Sequence, residues 1–197
     1  MRVVYTFALV AVIILSSCKS VKNIGSIENG MALTYNFIAN QQATQITHTV
    51  VSRSAYTVLN YAISGTDFSG KINITPMAMD SASELDNHFD GEDKNQTKTL
   101  SLWISQKNFS EIKQDSTTTL SFRQGLVKNE TVFKWKETQT FMCNVDGKLE
   151  EFKAIYLEDT MNKDFKLWIW DNATNPIIFR LDFGWQMILK DISLPKT

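Results

Sequence analysis

Two cysteines, two histidines and three prolines are all that the 197 residues contain of these types. Each shortage excludes something. With only Cys18 and Cys143 there is no disulfide framework. Neither is there material for a zinc site, because His48 and His88 stand far apart and no Cys pair accompanies them. There is no Gly-x-Ser-x-Gly elbow, no phosphate-cradling glycine loop and no Cys-x-x-Cys. The sequence thus offers no convergent catalytic set, and it reads as a non-enzyme with no metal and no cofactor. Charge of one sign is also missing: the net charge is −1, which gives no footprint for nucleic acid. Glu84, Asp86, Asp90, Glu92 and Asp93 gather locally. Their order lacks the alternating oxygen ligands of a calcium loop, so they read as a solvated helix end. Long apolar runs are absent but for Val3–Leu15, shorter than the roughly 20 residues of a membrane-spanning helix.

That one run is informative. Arg2 precedes it, and small residues and a cysteine, Leu15-Ser16-Ser17-Cys18, end it. The pattern is that of a secretory signal, and its ending resembles the lipobox of bacterial lipoproteins. The resemblance implies cleavage before Cys18, a lipid on its thiol and a protein held at the membrane through that lipid. An ordinary secretory cleavage is the alternative. Residues 1–17 are then the signal peptide, 18–28 the lipidated cysteine and a polar tether, and 29–197 a single β-rich domain. In enteric lipoproteins an acidic residue after the cysteine retains the protein at the inner membrane. Here Lys19 follows, which favours the periplasmic face of the outer membrane. Cys143, left without a partner and without a basic neighbour, reads as a small apolar residue in a strand.

From Met31 onward the dominant period is two. Met31, Leu33, Tyr35 and Phe37 alternate with polar or smaller residues, and runs at 46–51, 56–63 and 71–74 are β-branched or aromatic. His48, between Thr47 and Thr49, reads as solvent-facing. Thr75-Pro76 is a helix start, and Ala78, Ala82, Leu85 and Phe89 fall on one stripe, which predicts a helix over 76–89 lying on a sheet. A further turn or two of helix is expected within 105–112. Asp146-Gly147 lies between two strand patterns and predicts a tight hairpin. That hairpin sets Val145 opposite Lys148, Cys143 opposite Glu150, Phe141 opposite Phe152 and Glu137 opposite Tyr156. Leu167 and Ile169 point one way and Trp168 and Trp170 the other, so 165–170 reads as a central strand covered on both sides.

The ending, Leu167-Trp168-Ile169-Trp170-Asp171-Asn172 with Asn175-Pro176-Ile177-Ile178 and Gly184-Trp185-Gln186-Met187-Ile188-Leu189-Lys190-Asp191-Ile192, resembles a group of bacterial envelope domains. Those are similar in fold to the lipoprotein carriers LolA and LolB. The resemblance implies a mainly β fold: a strongly curved antiparallel sheet or incomplete barrel with one covering helix near 76–89. By analogy of fold it also implies an apolar ligand such as an acyl chain; no binding residue carries over.

The five tryptophans have a plain account in core packing. A sharper one has Trp103, Trp135, Trp168 and Trp170, with Leu85 and Phe89, lining an apolar cavity under the helix. Two functions follow: a lipid-anchored module for a hydrophobic ligand, or a structural or partner-binding envelope protein with a filled core. No residue pattern specifies the protein partner.

Overall fold

The computed structural model describes residues 24–124 and 127–196. The expected signal peptide, residues 1–17, and Cys18 lie outside the described residues. Thirteen strands form a single sheet: β1 (Ala32–Ala39), β2 (Gln42–Arg53), β3 (Thr57–Ile63), β4 (Ser69–Ile74), β5 (Glu84–Leu85), β6 (Lys94–Gln96), β7 (Thr99–Leu100), β8 (Thr117–Gln124), β9 (Val127–Val145), β10 (Lys148–Asp159), β11 (Lys166–Trp170), β12 (Ile178–Asp182) and β13 (Gln186–Ser193). Two helices accompany them, α1 (Pro76–Ser81) and α2 (Gln106–Asp115). The order across the sheet is β6-β4-β3-β2-β1-β13-β12-β11-β10-β9-β8-β5-β7. Neighbouring long strands pair antiparallel; parallel pairings join the short β5 to β7 and β8, the short β6 to β4, and the ends of β9 and β13. The fold is therefore mainly β, one strongly curved sheet that stops short of a closed barrel.

The expected hairpin forms in the expected register, from Lys148–Val145 through Glu150–Cys143 and Phe152–Phe141 to Tyr156–Glu137. Asp146 and Gly147 both take positive φ, 47° and 78°, the backbone that a two-residue turn requires and that Asp-Gly tolerates. The hairpin end curls back, and Asn144 and Val145 meet Asp191 and Ile192 of β13 in parallel. An aromatic block fills this curl. Phe179 stacks on Phe141 at 4.6 Å between centroids and meets Phe152 edge-on at 5.5 Å, so its ring mediates the cross-strand pair.

The helical layer differs from expectation. The helix begins as predicted, with the Thr75 hydroxyl accepting from Ala78 N–H and Pro76 in the first turn, but it ends at Ser81. Beyond it, Ser83 C=O accepts from Ser121 N–H at 2.7 Å, and Glu84 and Leu85 pair with Ser121 and Phe122. Pairing to the edge of β8 wins over a helix weakened by Ser83, Asp86 and Asn87, whose side chains compete for backbone. Ala78 within α1 and Ala82 and Leu85 beyond it are buried all the same; the extended chain buries the latter two as well as the helix would have. The longer helix is α2, capped by Ser105, whose hydroxyl accepts from Asn108 N–H. The cover is thus two short helices and a strap over 82–104, rather than one helix.

The strap stitches the sheet. Its β5 and β7 lie at one end of the strand order and its β6 at the other, although β6 and β7 are separated in sequence only by Thr97 and Lys98. Further on, Ile178 N–H donates to Leu102 C=O and Ile104 N–H to Pro176 C=O. Short strands at both ends leave little open edge for another chain to join.

The register also defines two poles. The near pole, where β1 begins, holds residues 24–31, the turn 54–56, the start of α1 and the loop 171–177. The far pole holds the turns at 40–41, 64–68, 160–165 and 183–185. Residues 24–28, expected within the tether, are docked instead. Ile24 and Ile27 are buried in the core, Gly25 C=O accepts from Asn172 Nδ2 at 2.9 Å, and Ile27 C=O accepts from Arg53 at 3.3 Å.

Candidate functional site

The residues expected to line one cavity occupy separate environments. Trp103 is wholly buried at the near pole, with the Arg53 guanidinium 5.5 Å from its ring and no partner for its indole N–H. Trp135 is partly buried and lies under the Lys113 ammonium at 4.7 Å; Lys113 also pairs with Asp171 at 3.0 Å. Trp168 stacks on Tyr156 at 4.8 Å beneath Arg180 at 4.8 Å, and its N–H donates to Gln139 at 2.8 Å. Trp170 sits in the aromatic curl, edge-on to Phe152. Leu85 is opposite Leu100 and Phe122 in the strap pairing. No ring contact joins any two of the four tryptophans among the described residues. Where α1 and the strap meet the sheet, Ile72 and Ile74 of β4, Ala78 of α1 and Leu100, Leu102 and Ile104 of the strap have no exposed surface.

Phe89 does reach a distinctive centre, one built around His48. Far from facing solvent, His48 is fully buried. It stands in a row across the sheet between Leu33 of β1 and Tyr61 of β3. The Phe89 ring covers it from the strap at 4.9 Å, with Tyr35 at 6.0 Å and Tyr61 at 6.1 Å. Neither ring nitrogen has a hydrogen-bond partner. Burial without a counter-charge pulls the imidazole down from 6.5 to about 3, so at neutral pH it is uncharged. The signal was in the sequence: Ile46, His48 and Val50 share a face, and the flanking threonines belong to the other.

The strap is held over this centre by polar contacts at its rim. Tyr61 Oη donates to Glu92 C=O at 3.0 Å and accepts from Gly91 N–H at 2.9 Å. Burial raises the Tyr61 phenol, with Asp90 and Asp93 adding to the shift and the Gly91 hydrogen bond opposing it. Lys94 pairs with Asp86 and Asp90 and donates to His88 C=O. His88, expected near a helix end, lies exposed in the strap 3.6 Å from Asp90. Of the acidic gathering, Asp86 and Asp90 are thus paired with Lys94 along the strap, and Asp93 accepts from the Lys71 backbone N–H. Asn87 buries both polar atoms of its amide with no partner.

Open concavities lie elsewhere: one of about 530 Å³ on the face of β2–β4 that carries Thr47, Thr49, Asn60 and Lys71, and a more polar one between α2 and β8. The cleft between α2 and β8 measures about 480 Å³ and is lined by Ser83, Asn108, Glu111, Thr118, Ser121 and Glu130 with their neighbours. A buried network forms its floor. Ser105 Oγ donates to Asn108 Oδ1 at 2.7 Å, Asn108 Nδ2 donates to Thr118 Oγ1 at 2.8 Å, and Thr118 Oγ1 donates to Glu111 at 2.7 Å. Lys107 pairs with Glu111 at 3.8 Å, leaving Asp115 and Glu130 to give the cleft a negative balance. Sequence reasoning missed it because its residues come from three separate segments with no motif among them.

Among the described residues no group of three or more His, Cys, Asp or Glu is placed to hold a metal, and no helix is long and apolar enough to cross a membrane. Cys143 is buried and free, and burial, with Asp191 nearby, pushes its thiol up to about 12. No family model matches the chain, nor does any curated protein or solved structure.

Proposed function

We propose that this chain is a lipid-anchored envelope protein, non-enzymatic, whose sheet is packed by its own side chains and whose recognition surface is the polar cleft between α2 and β8. The reading of Cys18 as the lipid attachment point rests on Leu15-Ser16-Ser17-Cys18. One observation supports partner binding over carriage of an acyl chain. The space beneath α1 and the strap is occupied by fully buried aliphatic residues, while the cleft beside α2 is open and hydrogen-bonding. Its balance of carboxylates suits a partner segment carrying Lys or Arg. Three measurements test the reading. Palmitate labelling is lost in Cys18→Ala. Native mass spectrometry of the protein from residue 19 onward returns the bare polypeptide mass. A photo-crosslinking residue at Glu130 captures a partner protein that one at Met161 does not. A retained lipid, or equal capture from both positions, overturns it.

A second reading keeps the hydrophobic ligand. It is favoured by the unpartnered His48 and Asn87 amide, which make the seating of Phe89 costly at about 1–3 kcal/mol for each unpaired polar group. In that reading Phe89 is displaced by the ligand, and the retained lipid of the same mass spectrum is its signature.

A further inference from the structure

We infer that the near pole of the domain, with Tyr56 and Met77 at its tip, rests on the interface of the bilayer that holds the lipid anchor. The inference depends on the reading of Cys18 as lipidated. Given that anchor, the geometry of the described residues sets the rest.

The chain leaves the domain at a fixed point. Ile24 is buried, and the next residues are clamped to the loop 171–175 and to Arg53 at the end of β2. Six peptide units join Cys18 to Ile24, and fully extended they span about 20–22 Å. The far pole is farther away than that. Eight residues of β1 at a strand rise of about 3.3 Å put the turn at 40–41 about 25 Å beyond the start of β1. Turning the domain over would require the exit point to stand higher above the lipid than the tether reaches. The near pole is therefore the one that meets the membrane.

The surface there suits an interface. Arg53 pairs with Thr57 across the β2–β3 turn, so Tyr56 sits beside the clamp on residue 27. Thr57 pairs with Ile74, which brings the start of α1 to the same tip. Tyr56 is 53 % exposed and Met77 57 % exposed. An exposed tyrosine is at home at headgroup level, its ring in the acyl boundary and its hydroxyl wet. The far pole exposes Phe68 and, more fully, Met161 at 92 %; Met161 lies beyond reach and serves as the control.

The test uses the full lipidated protein in vesicles of phosphatidylethanolamine and phosphatidylglycerol, with Cys143→Ala to leave one reactive thiol. An environment-sensitive dye is attached at Tyr56→Cys or at Met161→Cys. Flotation reports the anchor and the dye reports the pole. The expected result is flotation of both proteins, with emission at position 56 rising about twofold or more on leaving water for the interface and emission at 161 unchanged. Flotation with an unchanged signal at 56, or with an equal rise at 161, overturns the orientation and leaves the anchor standing. Loss of flotation, or flotation undiminished in Cys18→Ser, overturns the anchor and the orientation with it.

Discussion

Replacing His48 with leucine should stabilise the protein, and by more in acid than at neutral pH. The imidazole is fully buried under Phe89 with both nitrogens unpartnered, and its pKa falls from 6.5 to about 3 on folding. A depressed histidine pKa means that the folded state prefers the neutral ring. Its contribution is intact above 6.5 and is lost as pH falls, because the unfolded chain takes up a proton that the folded chain refuses. At about 1.36 kcal/mol per pH unit below 6.5, the loss at pH 5 is about 2 kcal/mol, and it approaches about 5 kcal/mol near pH 3. Leucine matches the volume and needs no hydrogen bond, so His48→Leu should be neutral or mildly stabilising at pH 7.5. Urea unfolding followed by tryptophan fluorescence, on both proteins at pH 7.5 and pH 5, isolates the term, since other titrating groups cancel in the comparison. The gap between mutant and parent should widen by about 2 kcal/mol on acidification. Parallel pH dependences, or an imidazole proton resonance titrating near 6.5 in the folded protein, would refute the reasoning.

Other substitutions probe other parts of the fold. Gly70→Ala places a methyl 2.7 Å from Glu92 C=O and 2.8 Å from the Tyr61 ring, and should cost about 1–3 kcal/mol while raising amide hydrogen exchange across the strap. Gly147→Ala forces a side chain onto a backbone of φ 78° and should lower the urea midpoint by the equivalent of about 1 kcal/mol. Asn108→Ala strips Ser105 and Thr118 of a partner in the floor of the cleft, for a loss of about 1–3 kcal/mol in the same assay. The Cys143 thiol, held up at about 12, should stay unmodified by a disulfide reagent at pH 8 and react within seconds once urea unfolds the chain.

Local rules carried the sequence reading where local interactions decide the structure. Asp146-Gly147 needs only its own backbone geometry to turn, and once it turns, the period of two fixes each pair back to Glu137 and Tyr156. Thr75-Pro76 starts a helix for equally local reasons. The end of that helix was hidden because the partner that unwinds it, Ser121 of β8, lies far down the chain. The docking of Ile24 and Ile27 was hidden likewise, since two isoleucines among polar residues have no period, and the side chains that hold the backbone of Gly25 and Ile27, Asn172 and Arg53, come from a distant loop and a distant strand. The tryptophans misled for a different reason. Large aromatics serve a lining, a curl and a surface ladder equally well, and composition does not separate them.

The pairing of β1 with β13 carries a consequence for how the molecule is made. The Tyr35 hydroxyl seals this part of the sheet by donating to Ile178 C=O, a residue 143 positions later, and the neighbour that β1 needs along its length is β13, the last strand of the sheet in chain order. Contacts of such sequence separation are slow to form, because the chain pays for closing a long loop before they return anything. A chain emerging from its amino terminus thus presents β1 to β4 with one flank unfinished until β13 has been delivered. If the amino end is by then fastened at the membrane, the sheet has to be completed beside it. Truncation before Gln186 would remove the whole of β13 and leave that flank open.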